Sequence, residues 1–93
     1  GEEGALADLP LGLPALTRAR KLGSRAADAG IDWPDAAGPR AKIDEELAEL
    51  DRAARVRDPV AQEAELGDLL FSIVNLARHW KIDPETALRG AND

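Results

Sequence analysis

Two Asp-Pro dipeptides, Asp58-Pro59 and Asp83-Pro84, constrain this sequence more than any other feature. Aspartate at a helix N-cap accepts from backbone N–H groups that lack an intrahelical partner. Proline at the first helical position needs no N–H and has its φ already set for helix. Each dipeptide therefore marks a helix start. Around these marks, apolar residues recur at three- and four-residue steps. Leu13, Leu16, Ala19, Leu22 and Ala26 form one stripe, which predicts a first helix that carries Pro14 in its first turn and stops at Gly30. Ile43, Leu47, Leu50 and Ala54 share one face of a second helix, starting near Pro39 and ending by Arg57. Pro59 opens a third helix to about Lys81, with Leu66, Leu69, Leu70, Ile73, Val74 and Ala77 on a wide face. Asp83-Pro84-Glu85 opens a fourth through Leu88. Between the first two, Pro34 biases Trp33 away from helix, so Ile31 to Asp35 is a loop. Residues 1–12 have no period and are expected to be a flexible lead-in to a domain spanning 13–93.

Composition agrees with an all-α fold of about four helices. Of 41 hydrophobic residues, 18 are alanine, the best helix former. Ile, Val and Thr together number nine, which argues against a sheet. Only 23 larger apolar residues remain, a thin supply for a self-sufficient core. Phe71 points almost opposite to Leu66, so the third helix is apolar on more than one side and needs packing on more than one side. In so short a chain, a second subunit is the simplest supplier, which predicts a dimeric helical bundle. There is no cysteine and one histidine, His79, so thiolate chemistry and multi-histidine metal sites are excluded. A net charge of −6 is the wrong sign for a nucleic-acid binder, although a single nucleotide remains open if a cation bridges the charges. The longest apolar stretch, Leu69 to Ala77, is interrupted by Ser72 and Asn75 and is too short to span a membrane. Nothing in the sequence resembles a signal peptide, and a cytoplasmic location is expected. The chain starts at Gly1 without any methionine and is expected to be a piece of a longer protein.

The chemistry-bearing residues are two carboxylate pairs. Glu46 and Glu49 lie three apart on the second helix, and Glu65 and Asp68 three apart on the third. Residues at this spacing are neighbours on one face. Glu46 and Glu49 sit about 60° and about 120° from Ile43, bordering the apolar stripe instead of opposing it. Antiparallel packing of the two helices brings four carboxylates to one edge. Like charges so placed repel unless a cation lies between them, and hard oxygen ligands suit Mg2+ or Mn2+. Solvated acids on helix faces are the alternative explanation, and Glu45, which points away from the stripe, fits that description. A di-iron bundle requires Glu-x-x-His, but Leu76 stands three before His79. Gly67, between Glu65 and Asp68, reads either as tolerated drift or as a close helix approach.

The words Leu13-Pro14-Ala15-Leu16, Ile31-Asp32-Trp33-Pro34, Glu45-Glu46-x-x-Glu49, Glu65-Leu66-Gly67-Asp68-Leu69-Leu70-Phe71, Val74-Asn75-Leu76-Ala77-Arg78, Asp83-Pro84-Glu85 and Ala91-Asn92 together resemble MazG, and within it the C-terminal domain, over residues 13 to 92. MazG belongs to the all-α NTP pyrophosphohydrolases. The resemblance implies a homodimer. It implies Mg2+-dependent cleavage of nucleoside triphosphates to monophosphate and pyrophosphate, and it makes Glu46, Glu49, Glu65 and Asp68 the metal ligands. Lys21, Arg25 and Asn92 are candidate substrate contacts, the two cations also reading as ordinary solvated charges. Trp33 is a candidate to stack a base or, beside Pro34, a core plug. His79 and Trp80 are explained by a helix end. Family members continue past Ala-Asn into a basic stretch. The domain is therefore expected to be truncated at its C-terminus and the fragment weakly active. The alternative function is a noncatalytic dimerisation module of a longer protein.

Overall fold

The computed structural model describes residues 13–93. The lead-in expected at 1–12 lies outside the described residues. Four helices follow in order: α1 (Ala15–Asp28), α2 (Ala37–Arg55), α3 (Pro59–His79) and α4 (Pro84–Asn92). Among the described residues there is no strand, so the fold is all-α.

Both Asp-Pro signals act as the sequence predicts. Asp58 accepts from Ala61 N at 3.1 Å, and Asp83 accepts from Glu85 N at 2.9 Å. Each aspartate is extended, and Pro59 and Pro84 open α3 and α4. The second helix starts two residues before Pro39, because Asp35 Oδ1 accepts from Ala37 N at 2.8 Å and satisfies an orphan donor there. Pro39 then falls in the first turn, where no N–H is needed, and its ring is fully buried. The first helix begins after Pro14 instead of including it. The third ends at His79, short of Lys81, because the backbone turns left-handed at Lys81.

α2 and α3 pack against each other most extensively, α1 lies on α3, and α4 touches α1. The loop between α2 and α3 is three residues long, so the pair forms an antiparallel hairpin. Among the described residues, Ala53, Leu69, Val74 and Leu76 on this hairpin are buried apolar side chains, with the rings of Pro39 on α2 and Pro84 on α4. No described helix is long and apolar enough to cross a membrane. A Cβ at Gly67 would meet nothing within 4 Å, so the close helix approach considered for that glycine is not made within the chain.

Candidate metal centre

The antiparallel hairpin places Glu46 of α2 opposite Glu65 and Asp68 of α3. One carboxylate oxygen from each lies within 4.8 Å of the others, a group that could hold a metal ion. Glu46 is only 7% exposed, unusual for a glutamate. Its Oε1 meets Lys42 Nζ at 3.3 Å, one helical turn away. Its Oε2 is buried and has no hydrogen-bond partner. A buried carboxylate oxygen without a donor is a costly arrangement that a cation relieves. The donor set is all carboxylate oxygen, which matches a hard divalent ion.

The electrostatics record the crowding. Burial pushes the Glu65 carboxyl above its ordinary range, with hydrogen bonding to Glu46 and the charges of Glu46, Asp68 and Glu49 adding to it. Lys42 is pushed up by its hydrogen bond to Glu46 and by the charges of Glu45, Glu46 and Asp68, against a smaller opposing effect of burial. Lys42 therefore partly neutralises the acids from one side. It was missed in the sequence, although its position four residues before Glu46 is the ordinary spacing of a helical ion pair.

Glu49 is set apart from the other three. Its Oε2 accepts from Arg52 Nη1 at 2.7 Å, and it faces Glu65 across a shared cavity of about 210 Å3. Glu45 is exposed, as its helical phase requires, and pairs with Lys42 at 3.8 Å. Lys21 and Arg25 lie partly buried on α1, and Asn92 is exposed at the end of α4. None of the three lines either of the cavities that contain Glu46, Glu49, Glu65 and Asp68.

A second constellation adjoins the first. Asp32, in the loop after α1, accepts from Arg78 Nη1 at 3.2 Å and Nη2 at 2.5 Å, and lies 3.1 Å from His79 Nε2. Arg78 in turn donates to Asn75. His79 thus has a polar partner in Asp32, beyond the helix end that sufficed to explain it. Trp33 is 46% exposed and lies over Gly38, so it is not a core plug. Together with Phe71 it lines a cavity of about 380 Å3. Phe71 also lines the cavity of Lys42, Glu46 and Asp68, so the aromatic cavity and the acids are neighbours.

The helical hairpin thus carries carboxylates from both helices at one edge, beside an aromatic cavity. Residues 21–92 match the family described as phosphoribosyl-ATP pyrophosphohydrolase, and the chain belongs to this MazG-like family. It is 52% identical over 79 residues to the nucleoside triphosphate pyrophosphohydrolase/pyrophosphatase MazG of Thermotoga maritima, which covers 85% of this chain and 30% of that protein. It is 45% identical over 94 aligned positions to the nucleoside triphosphate pyrophosphohydrolase of Escherichia coli, covering 99% of this chain and 36% of that protein. The chain thus spans about a third of the length of these curated relatives. The resemblance to MazG drawn from the acidic words and their flanks is borne out.

Proposed function

We propose that this domain hydrolyses nucleoside triphosphates between the α- and β-phosphates, releasing nucleoside monophosphate and pyrophosphate, with Mg2+ or Mn2+ held by Glu46, Glu65 and Asp68. The observation that carries the reading is the buried, unpartnered Oε2 of Glu46 beside two further carboxylates. The names of the relatives from Thermotoga maritima and Escherichia coli support the reaction class. A divalent ion in this group supplies neutralisation of phosphate charge and activation of water. Glu46 provides the fixed ligand, because packing on α2 holds its carboxylate. Glu65 and Asp68 complete the group from α3. Glu49 would be the fourth ligand in this proposal, its exposed pair with Arg52 holding it only weakly. With an ion held by Glu46, Lys42 would be available to a phosphate oxygen.

The chemistry needs no covalent intermediate. An oxygen of water bonds to the α-phosphorus and gives up its proton to solvent, the bond to the bridging oxygen breaks, and pyrophosphate leaves with the electron pair. The reading includes a homodimer, supported by the half-exposed Leu66, Leu70 and Ile73 along α3. It also includes a cytoplasmic location, where such substrates are made.

The test is product analysis with Mg2+ and a panel of nucleoside triphosphates. Monophosphate and pyrophosphate are expected in equal amounts. Asp68→Asn should lower turnover by about a hundredfold or more, since it removes a charged ligand whose loss is felt in the transition state. Release of diphosphate and orthophosphate would overturn the assigned bond. Full turnover in Asp68→Asn would overturn the ligand set.

A further inference from the structure

The aromatic cavity contains one polar group whose orientation is fixed and whose function is unassigned. Asn75 lies seven residues after Asp68, on the same face of α3 and about 10 Å along the axis. Its Oδ1 accepts from Arg78 Nε at 3.0 Å and from Arg78 Nη2 at 2.8 Å. Two donors on one atom identify that atom as the oxygen and occupy both of its lone pairs. Arg78 is itself held by Asp32, so the amide cannot flip without breaking a charged network. The Asn75 amide nitrogen makes no hydrogen bond among the described residues and is not sealed from solvent. Asn75 lines the aromatic cavity together with Trp33, Phe71, Ile31, Asp32 and Arg78.

An asparagine usually reads adenine with both ends of its amide, accepting from the amino group and donating to a ring nitrogen. Here the accepting end is spent on Arg78. Only a donor remains, and a donor suits a carbonyl oxygen and opposes an amino group. Aromatic side chains bind any base by stacking and select poorly among them. Asp32 and Arg78 line the same cavity but are spent on each other, so selection falls to the amide.

We propose that Asn75 is a specificity-determining residue: its fixed N–H faces the group at purine C6 or pyrimidine C4 of a base held by Trp33 and Phe71 and donates to it where it is a carbonyl, so the site takes nucleotides of guanine, hypoxanthine, uracil and thymine over those of adenine and cytosine, which carry an amino group at that position. This rests on the nucleotide reading above, and shared use of Phe71 connects the base cavity to the acids.

The experiment is equilibrium binding in Mg2+ of the α,β-methylene analogues of GTP, UTP, ATP and CTP, with inorganic tripolyphosphate as the base-free probe. The intact chain should bind the GTP and UTP analogues about ten-fold more tightly than the other two, the worth of one hydrogen bond made or opposed. Asn75→Asp keeps the contact with Arg78 but presents an acceptor to the cavity, and should reverse the order. Asn75→Ala should erase it. Tripolyphosphate should bind all three proteins alike. If Asn75→Asp does not fold, Asn75→Ala decides alone. An unchanged order in the variants, or equal binding of all four analogues by the intact chain alongside tripolyphosphate binding, overturns the inference and leaves the nucleotide reading standing. Binding of neither tripolyphosphate nor any analogue overturns the reading itself and the inference with it.

Discussion

At the scale of single residues, Asp32 ties the loop after α1 to the end of α3. Hydrogen bonding from Arg78 holds its carboxyl well below the ordinary value of 3.8, at about 2, with the backbone N–H of Trp33, the charge of Arg78 and His79 helping against some burial. A carboxyl depressed in the folded state contributes stability that is present above its unfolded pKa and is lost as pH falls through the folded one. The contribution should therefore be complete above about pH 4 and disappear between about pH 4 and pH 2. Asp32→Asn should lower stability at pH 7 by about 1–2 kcal/mol, discounted for solvent exposure, and should flatten the acid limb of the melting-temperature profile. Gly38 makes a second residue-scale prediction. A Cβ there would lie 2.5 Å from the Trp33 ring, so the bare α-carbon is what the indole rests on. Gly38→Ala should displace Trp33, cost about 1–3 kcal/mol and red-shift its fluorescence, measured in a Trp80→Phe background. The acids of the site were legible because i, i+3 spacing on two helices survives folding unchanged. Lys42, Asn75, Arg78 and Asp32 were not singled out. Lys42 with Glu46 and Asn75 with Arg78 are neighbours within one helix that look like ordinary surface pairs in the sequence, and only the packing of the loop after α1 against α3 brings Asp32 to Arg78.

At the scale of elements, three of the four helices end the same way. After α1, Gly30 N donates to Ala27 O and Ile31 N to Ala26 O. After α2, Arg57 N donates to Ala54 O and Asp58 N to Ala53 O. After α3, Lys81 N donates to Arg78 O and Ile82 N to Ala77 O. Each pair satisfies two orphan carbonyls and requires a left-handed residue between them. Gly30 adopts that backbone freely at φ 86°, whereas Arg57 at φ 54° and Lys81 at φ 59° do so with a Cβ in the way. Arg57→Gly should therefore raise stability by about 0.5–1 kcal/mol, a melting-temperature increase of about 2–8 °C in a chain of this size. An unchanged or lower melting temperature would show that the Arg57 side chain contributes more than its backbone costs. Helix number and order were legible because caps and stripes are local. The stops after α2 and α3 were legible mainly through the Asp-Pro pairs that follow. Neither left-handed residue is glycine, so nothing at those positions announces the turn. The early start of α2 was hidden because an aspartate two residues ahead of a helix reads equally well as loop.

At the scale of the whole molecule, the balance of covered and uncovered apolar surface is uneven. Leu69, Val74 and Leu76 are the large apolar side chains of the core that exclude water well. Leu66, Leu70 and Ile73, at i, i+4 and i+7 along α3, are 46%, 47% and 44% exposed, and Leu47 on α2 is 43% exposed. A folded domain of this length covers more of its apolar surface than that. A stripe of three on one helix has the spacing of a helix-to-helix seam. An obligate interface buries about 2,000 Å2 or more, within reach of two hairpins laid face to face. Placing a charge in the stripe discriminates a seam from a solvated face. Leu70→Glu on a solvated face should change stability by no more than about 0.5 kcal/mol. Across a seam it leaves two carboxylates facing each other in a dry interface, a loss of several kcal/mol that separates the subunits. The expected outcome is an intact chain that sediments at twice 9.9 kDa at micromolar concentration, and a Leu70→Glu variant that sediments as a monomer with a lower melting temperature. Because Gly67 opens onto empty space within its own chain, Gly67→Ala supplies the control: it should stabilise α3 by about 1 kcal/mol without touching the stripe. An intact chain that stays a folded 9.9 kDa monomer would overturn the dimer, and would leave the exposed leucines to be covered by another part of a longer protein.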